Sequence, residues 1–172
     1  MKIKVKLFDP KCNITINEKG DWFDLKTRCN YIYQKPQAGI QYQQAGIKFR
    51  DVEVNKALLP LGIAMKLPKG IEAILAPRSS TGLKYGIIQA NSFGVIDNSY
   101  SGNDDEWKLP VFALGSGNIP AYTRICQFRI QLSQKATFWQ KLKWMFTNKI
   151  EFEYVDNLDS ESRGGFGSTG TN

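Results

Sequence analysis

No histidine occurs in the 172 residues. That excludes a Ser-His-Asp or Cys-His catalytic unit and any zinc site that depends on imidazole. An enzyme of this composition needs a carboxylate as its proton acceptor. A metal would meet oxygen ligands, which favours Mg2+. Cysteine is also sparse: Cys12, Cys29 and Cys126 are odd in number, so no disulfide framework is expected and a reducing, cytoplasmic setting is the default. No apolar run approaches the roughly 18 residues of a membrane span. The opening MKIKVKLFDP lacks the apolar stretch of a signal peptide. Acids are the minority charge, 16 against 23 Lys plus Arg, for a net charge of +7 and a pI near 9.3. Such a surplus suits an anionic partner (nucleotide, nucleic acid or acidic surface) or an ordinary solvated basic surface.

A hydrophobic fraction of 42% with 23% charged residues is enough for one domain with a real core. Residues 2–8 alternate Lys with Ile3, Val5 and Leu7, the pattern of a half-buried strand. Further short apolar runs lie at 47–54, 57–66, 71–76, 86–90, 109–114, 124–131 and 150–155. Short strands punctuated by turn residues predict an all-β sandwich, barrel or jelly roll. One helix is predicted within Gln134–Lys149, where Phe138, Leu142 and Met145 recur at helical spacing with Trp139 and Phe146 beside them. Lys135, Lys141, Lys143 and Lys149 share this stretch without an acid; basic residues interleaved with aromatics can mark a nucleic-acid or membrane surface, but here the aromatics are expected to pack on the domain and leave the lysines in water. Residues 30–50 contain Gln-Ala-Gly-Ile twice and read as a hairpin or long loop. Asp159–Asn172 reads as a flexible Gly-rich end.

Four clusters could carry chemistry. In Pro77-Arg78-Ser79-Ser80-Thr81-Gly82 a guanidinium, which grips phosphate with two N–H groups, sits among hydroxyls. In Asn91–Gly102, Asp97 follows the strand-like pair Val95-Ile96, where desolvation would raise its pKa and make it a better base. Tyr100 could stack on a sugar or base. In Arg124–Phe128, strict strand alternation puts Arg124, Cys126 and Phe128 on one face, Ile125 and Gln127 on the other. In Arg163–Gly170, glycines would let backbone N–H groups close on phosphate oxygens, and Ser168 and Thr169 add hydroxyls. No Lys follows them, so this is not a Walker loop. Taken singly, each cluster reads as well as a polar turn, a turn-capping Asp or a mobile terminus.

Taken in order, Asp24-Leu25, Pro60-Leu61-Gly62, Arg78-Ser79-Ser80, GVIDNSYSG at 94–102, Arg124-Ile125-Cys126-Gln127 and GGFGSTG at 164–170 resemble the trimeric dUTPase family. The resemblance runs from about residue 20 to the end, and GVIDNSYSG and GGFGSTG are its specific parts. It implies an all-β jelly roll (a barrel or sandwich) with one short helix, forming a homotrimer whose active sites each draw on three subunits. Residues 1–158 would be the β domain, with insertions near 30–50 and 134–150, and 159–172 a tail closing over the site. The implied reaction is dUTP + H2O → dUMP + pyrophosphate with Mg2+, water attacking the α-phosphorus.

In that resemblance Asp97 would be the general base. Tyr100 would pack on the deoxyribose. Asn91 and the 91–100 hairpin backbone, through Gly94, Val95 and Ile96, would read the uracil edge. Arg78, Ser79, Ser80 and Gln127 would hold phosphates. Phe166 would cover the uracil, with Gly167, Ser168 and Thr169 at the γ-phosphate and Arg163 nearby. Asp24 would lie beside the metal, through water. Arg163 stands three residues before Phe166, closer than in most members, and Pro60-Leu61-Gly62 lacks the usual hydroxyl. The alternative within the related nucleotide fold is a dCTP deaminase, for which Glu106 would be the needed glutamate. A further alternative is a phage-type member whose 134–150 insert also binds a regulatory protein; membrane and nucleic acid are not expected partners.

Overall fold

Lysine alternation decides the first strand: Ile3 and Val5 are fully buried, while Lys2, Lys4 and Lys6 occupy its other face. The same logic repeats along the chain, and a computed structural model describes residues 1–147 and 149–165. The strands are β1 (Lys2–Leu7), β2 (Thr15–Ile16), β3 (Phe23–Lys26), β4 (Tyr31–Tyr33), β5 (Gln37–Gln44), β6 (Ile47–Glu53), β7 (Lys56–Pro60), β8 (Ile63–Lys66), β9 (Ile71–Pro77), β10 (Ile87–Gln89), β11 (Gly94–Asp97), β12 (Lys108–Ala113), β13 (Gly117–Ile119), β14 (Arg124–Leu132) and β15 (Glu151–Tyr154). The helices are α1 (Thr81–Tyr85) and α2 (Phe138–Met145).

The sheets run β15-β1-β8, β10-β12-β7 and β11-β9-β14-β3-β2, with two-stranded pairs β13-β4 and β5-β6. Among the described residues only β1 and β15 pair in parallel; the other pairings are antiparallel. Among the described residues no sheet closes on itself, so the all-β architecture is an open sandwich rather than a closed barrel. The sheets share one apolar core. Its centre is aromatic: the Trp107 and Phe128 rings meet edge to face at 5.3 Å, as do Phe23 and Phe152 at 4.9 Å.

Three features depart from the sequence reading. The run 57–66 is two strands, β7 and β8, in different sheets. Gly62 breaks it with a φ of +71°; a Cβ there would come within 2.5 Å of the Cys12 side chain. Its N–H is claimed by Glu106 at 2.9 Å. Among the described residues there are two α-helices where one was predicted, because Thr81 buries its hydroxyl against the Ile125 carbonyl at 2.6 Å and turns an apparent polar loop into α1. α2 begins at a capping box between Thr137 and Gln140, but its aromatics do not all pack inward. Phe138, Trp139, Met145 and Phe146 are each at least 70% exposed. The inward face is Trp144 and Gln140, the latter's amide lying directly over Gly70.

The expected hairpin within 30–50 forms from β5 and β6. Its turn is Ala45-Gly46, both with positive φ, so the second Gln-Ala-Gly-Ile copy is a tight hairpin turn.

Candidate active site

The chain leaves one sheet and enters another between β10 and β11: β10 pairs with β12, whereas β11 pairs with β9. The segment 91–100 is therefore not a hairpin, since its strand lies against β9. The crossing opens a cavity of about 270 Å³ lined by Asn91, Gly94, Val95, Ile96, Asp97 and Tyr100, with Trp107 and Lys108 behind them and Arg163–Gly165 as a wall. The sequence-predicted residues Asn91, Gly94–Asp97, Tyr100 and Arg163 are thus brought together. Phe166, Gly167, Ser168 and Thr169 lie outside the described residues.

Asp97 ends β11 and is about half exposed. Its carboxylate accepts from the Ser99 amide at 2.8 Å and from the Ser99 hydroxyl, and it pairs with the Arg163 guanidinium at 2.9 and 3.1 Å. Burial pushes its pKa up, but the Ser99 hydrogen bonds and Arg163 outweigh burial and hold it below the ordinary Asp value. The sequence reading expected burial to win. The carboxylate is ionised at neutral pH and oriented, at the expense of some basicity. Tyr100 donates its hydroxyl to the Glu106 carbonyl at 2.9 Å, and burial pushes its phenol up to about 12. It remains a neutral ring wall.

Sequence reading missed two groups behind the cavity. Gln89, 7% exposed, donates from its amide nitrogen to Asn91 Oδ1 at 2.9 Å. That bond fixes the Asn91 amide with its NH2 free to donate elsewhere. The Gln89-x-Asn91 spacing is the only local signal for it. Trp107 is fully buried, and its indole N–H has no partner among the described residues.

The phosphate-type residues assemble elsewhere. Asp24, 4% exposed, takes Arg78 Nε at 3.0 Å and Arg124 NH1 at 3.3 Å on its two oxygens. A bulge causes this meeting. Arg124 opposes Lys26 but Cys126 opposes Leu25, so one residue is inserted. Strict alternation fails there: Ile125 and Cys126 are both fully buried. Arg124 and Gln127, predicted on opposite faces, come to the same face as Asp24, the register partner of Gln127. Ser79 and Ser80 are exposed at the entrance to α1.

The two groups sit at opposite ends of β9. Asp97 is opposite Glu72 and Gly94 opposite Leu75, while Arg78 follows Pro77. The five steps of strand from Glu72 to Pro77 span about 17 Å.

Residues 47–170 match the dUTPase family model. The chain is 39% identical over 175 residues to the SPbeta prophage-derived deoxyuridine 5'-triphosphate nucleotidohydrolase of Bacillus subtilis, covering 99% of both chains. It belongs to the dUTPase family. The fold of this dUTPase agrees: it superimposes on a Streptococcus mutans dUTPase with a TM-score of 0.62 at 18% identity, covering 78% of this chain and 98% of that one. It also superimposes, with a TM-score of 0.59 at 13% identity and 79% and 94% coverage, on a mutant dUTPase from Staphylococcus aureus phage phi11 whose structure reveals a coordinated structural Mg(II) ion.

Within this dUTPase, Glu106 is fully engaged. Arg28 grips both its oxygens at 2.9 Å and the Gly62 amide adds a third bond. It is a structural strut, not a free acid–base group. Among the described residues no three of His, Cys, Asp and Glu come together as a metal cage. Both Asp24 oxygens are engaged by guanidinium groups. No helix among the described residues is long and apolar enough to cross a membrane.

Proposed function

We propose that this dUTPase hydrolyses dUTP, carried as its Mg2+ complex, to dUMP and pyrophosphate. The observation that carries the reading is the placement of the Asp97 carboxylate in one cavity with Asn91, the Gly94–Ile96 backbone and the Tyr100 ring. Asn91, held by Gln89, and the β11 backbone pair with the uracil edge. Cytosine presents the opposite donor and acceptor pattern and leaves those groups unpaired. Tyr100 packs on the deoxyribose and leaves no room for a 2′-hydroxyl.

Asp97 takes a proton from a water whose oxygen bonds to the α-phosphorus. The bond from that phosphorus to the bridging oxygen breaks, and pyrophosphate leaves with the electron pair. Mg2+ bound to the triphosphate would supply charge neutralisation as negative charge moves to the leaving group. Most of the catalytic gain is positioning and charge neutralisation.

Arg78, Ser79, Ser80 and Gln127 are the phosphate-holding set. Arg78 lies just beyond the roughly 17 Å of β9 that runs from Glu72, the register partner of Asp97, to Pro77, a separation that favours phosphate-holding residues from a second subunit. A site shared between subunits of a homotrimer supplies both. The outward face of β10-β12-β7 fits such a contact: Leu58 and Ile88 are each 45% exposed, and their register partners are Pro110 and Phe112. A protein contact through 134–150 has separate support in the outward aromatic face of α2.

The test is pyrophosphate release by the purified protein with Mg2+. dUTP is expected to be consumed at least about a hundredfold faster than dCTP, whose edge leaves buried hydrogen-bonding groups unpaired, and than UTP and dTTP, whose extra hydroxyl and methyl find no room. Intact dUTP, or ammonia from dCTP, would overturn the proposal.

A further inference from the structure

A side-chain amide has nearly the same shape either way round, so its partners decide which end faces a ligand. Asn91 lines the nucleotide cavity. The main chain around it is held. The Ala90 N–H donates to the Pro110 carbonyl at 2.9 Å, the Ser92 N–H to the Gln89 carbonyl at 3.3 Å and the Phe93 N–H to the Asn91 carbonyl at 2.6 Å. What remains open is the direction of the Asn91 amide.

Gln89 closes that choice. It ends β10, 7% exposed, with its amide packed on Gly94, where a Cβ would lie 3.6 Å from Gln89 Nε2. Nε2 donates to the Leu75 carbonyl at 3.4 Å and to Asn91 Oδ1 at 2.9 Å. A backbone carbonyl only accepts, so Leu75 must meet the NH2 end of Gln89. The second N–H of that NH2 claims Asn91 Oδ1. The Asn91 NH2 is the end left for the cavity.

The other arrangements are worse. Gln89 Oε1 is buried without a partner among the described residues. Turning both amides over would leave a buried NH2 in its place and set Oε1 against the Leu75 carbonyl, acceptor to acceptor. Turning Asn91 alone would set two NH2 groups against each other. Either change leaves a buried donor unpaired. One carbonyl of β9 thus fixes, through two amides, a donor in the cavity.

We propose that Gln89 is the positioning residue that sets the choice of base. Through Asn91 it presents a donor to the 4-position of the pyrimidine. Uracil carries a carbonyl there and completes the hydrogen bond. Cytosine carries an amino group there, which would face a second donor. The proposal rests on the reading above in which Asn91 pairs with the base edge.

Gln89→Met keeps the length of the side chain and removes the relay; Gln89→Leu is a second apolar replacement. Asn91 is then free to turn to suit either base. The ratio of kcat/KM for dUTP to that for dCTP is expected to fall at least about tenfold, chiefly through KM. A residue that only supports the fold would lower both nucleotides alike and keep the ratio. Titration calorimetry with the α,β-imido analogues of dUTP and dCTP should show the same loss of preference without turnover. Asn91→Ala separates the proposal from the reading beneath it. A ratio lowered in Asn91→Ala but unchanged in a folded Gln89 variant would overturn the role of Gln89 alone. A ratio unchanged in Asn91→Ala would overturn the base-edge reading of Asn91 and the proposal with it.

Discussion

Asp97→Asn is expected to lower kcat for dUTP by about 10²–10⁴-fold, the usual contribution of a positioned general base. KM should change by no more than a few-fold, because the amide keeps the shape of the cavity and the lost interaction matters most in the transition state. The pH profile checks the same carboxylate. Asp97 is held below the ordinary value of 3.8, with burial opposing and the Ser99 bonds and Arg163 prevailing. A depressed carboxylate is ionised above its folded pKa. Its stabilising bonds are fully present above the unfolded value and lost as pH falls through the folded one. The acid limb of kcat/KM, which reports the free enzyme, should therefore lie below pH 3.8. A variant as active as the parent, or an acid limb near neutrality, would remove Asp97 from the role of base.

Asp24→Ala is expected to cost stability and activity together. The side chain is 5% exposed and balances two guanidinium groups, Arg78 and Arg124. Removing one partner of a buried pair costs about 3–5 kcal/mol, and the partial exposure of both arginines reduces this to about 2–3 kcal/mol. The melting temperature should fall by roughly 5–10 °C for a domain of this size. Turnover should fall as well, because Arg78 loses the group that aims it. Calorimetry alongside a Mg2+ titration decides between aiming Arg78 and serving the metal. An unchanged melting temperature with a raised Mg2+ requirement would contradict the aiming role.

Local patterns in the sequence carried the framework, and distant partners carried the rest. Strand β1 was legible because period-2 alternation of Lys with Ile3 and Val5 is a property of six adjacent residues. The α2 segment was legible from its 3.6 period, but not which of its aromatics face outward, because that depends on what it packs against. The break in 57–66 turns on Gly62 and Glu106, 44 residues apart. The bulge at Arg124–Cys126 has no sequence mark and decides whether Arg124 and Gln127 share a face.

At the site, Asp97 and Tyr100 stood out through a recognisable motif. Gln89 did not, because the carbonyl that turns its amide belongs to Leu75, 14 residues away in another sheet. The basicity of Asp97 was misjudged for the same reason: Val95-Ile96 announced burial, whereas Arg163 is brought in by the tail.

The position of the attacking water's oxygen in the products identifies the phosphorus that reacts. Hydrolysis of dUTP in water enriched in oxygen-18, followed by mass spectrometry of the two products, reads this directly. Attack at the α-phosphorus beside Asp97 places the label in dUMP and leaves pyrophosphate unlabelled. Label in pyrophosphate, with dUMP unlabelled, would mean that water reaches the β-phosphorus and that the Asp97 cavity does not hold the reacting centre.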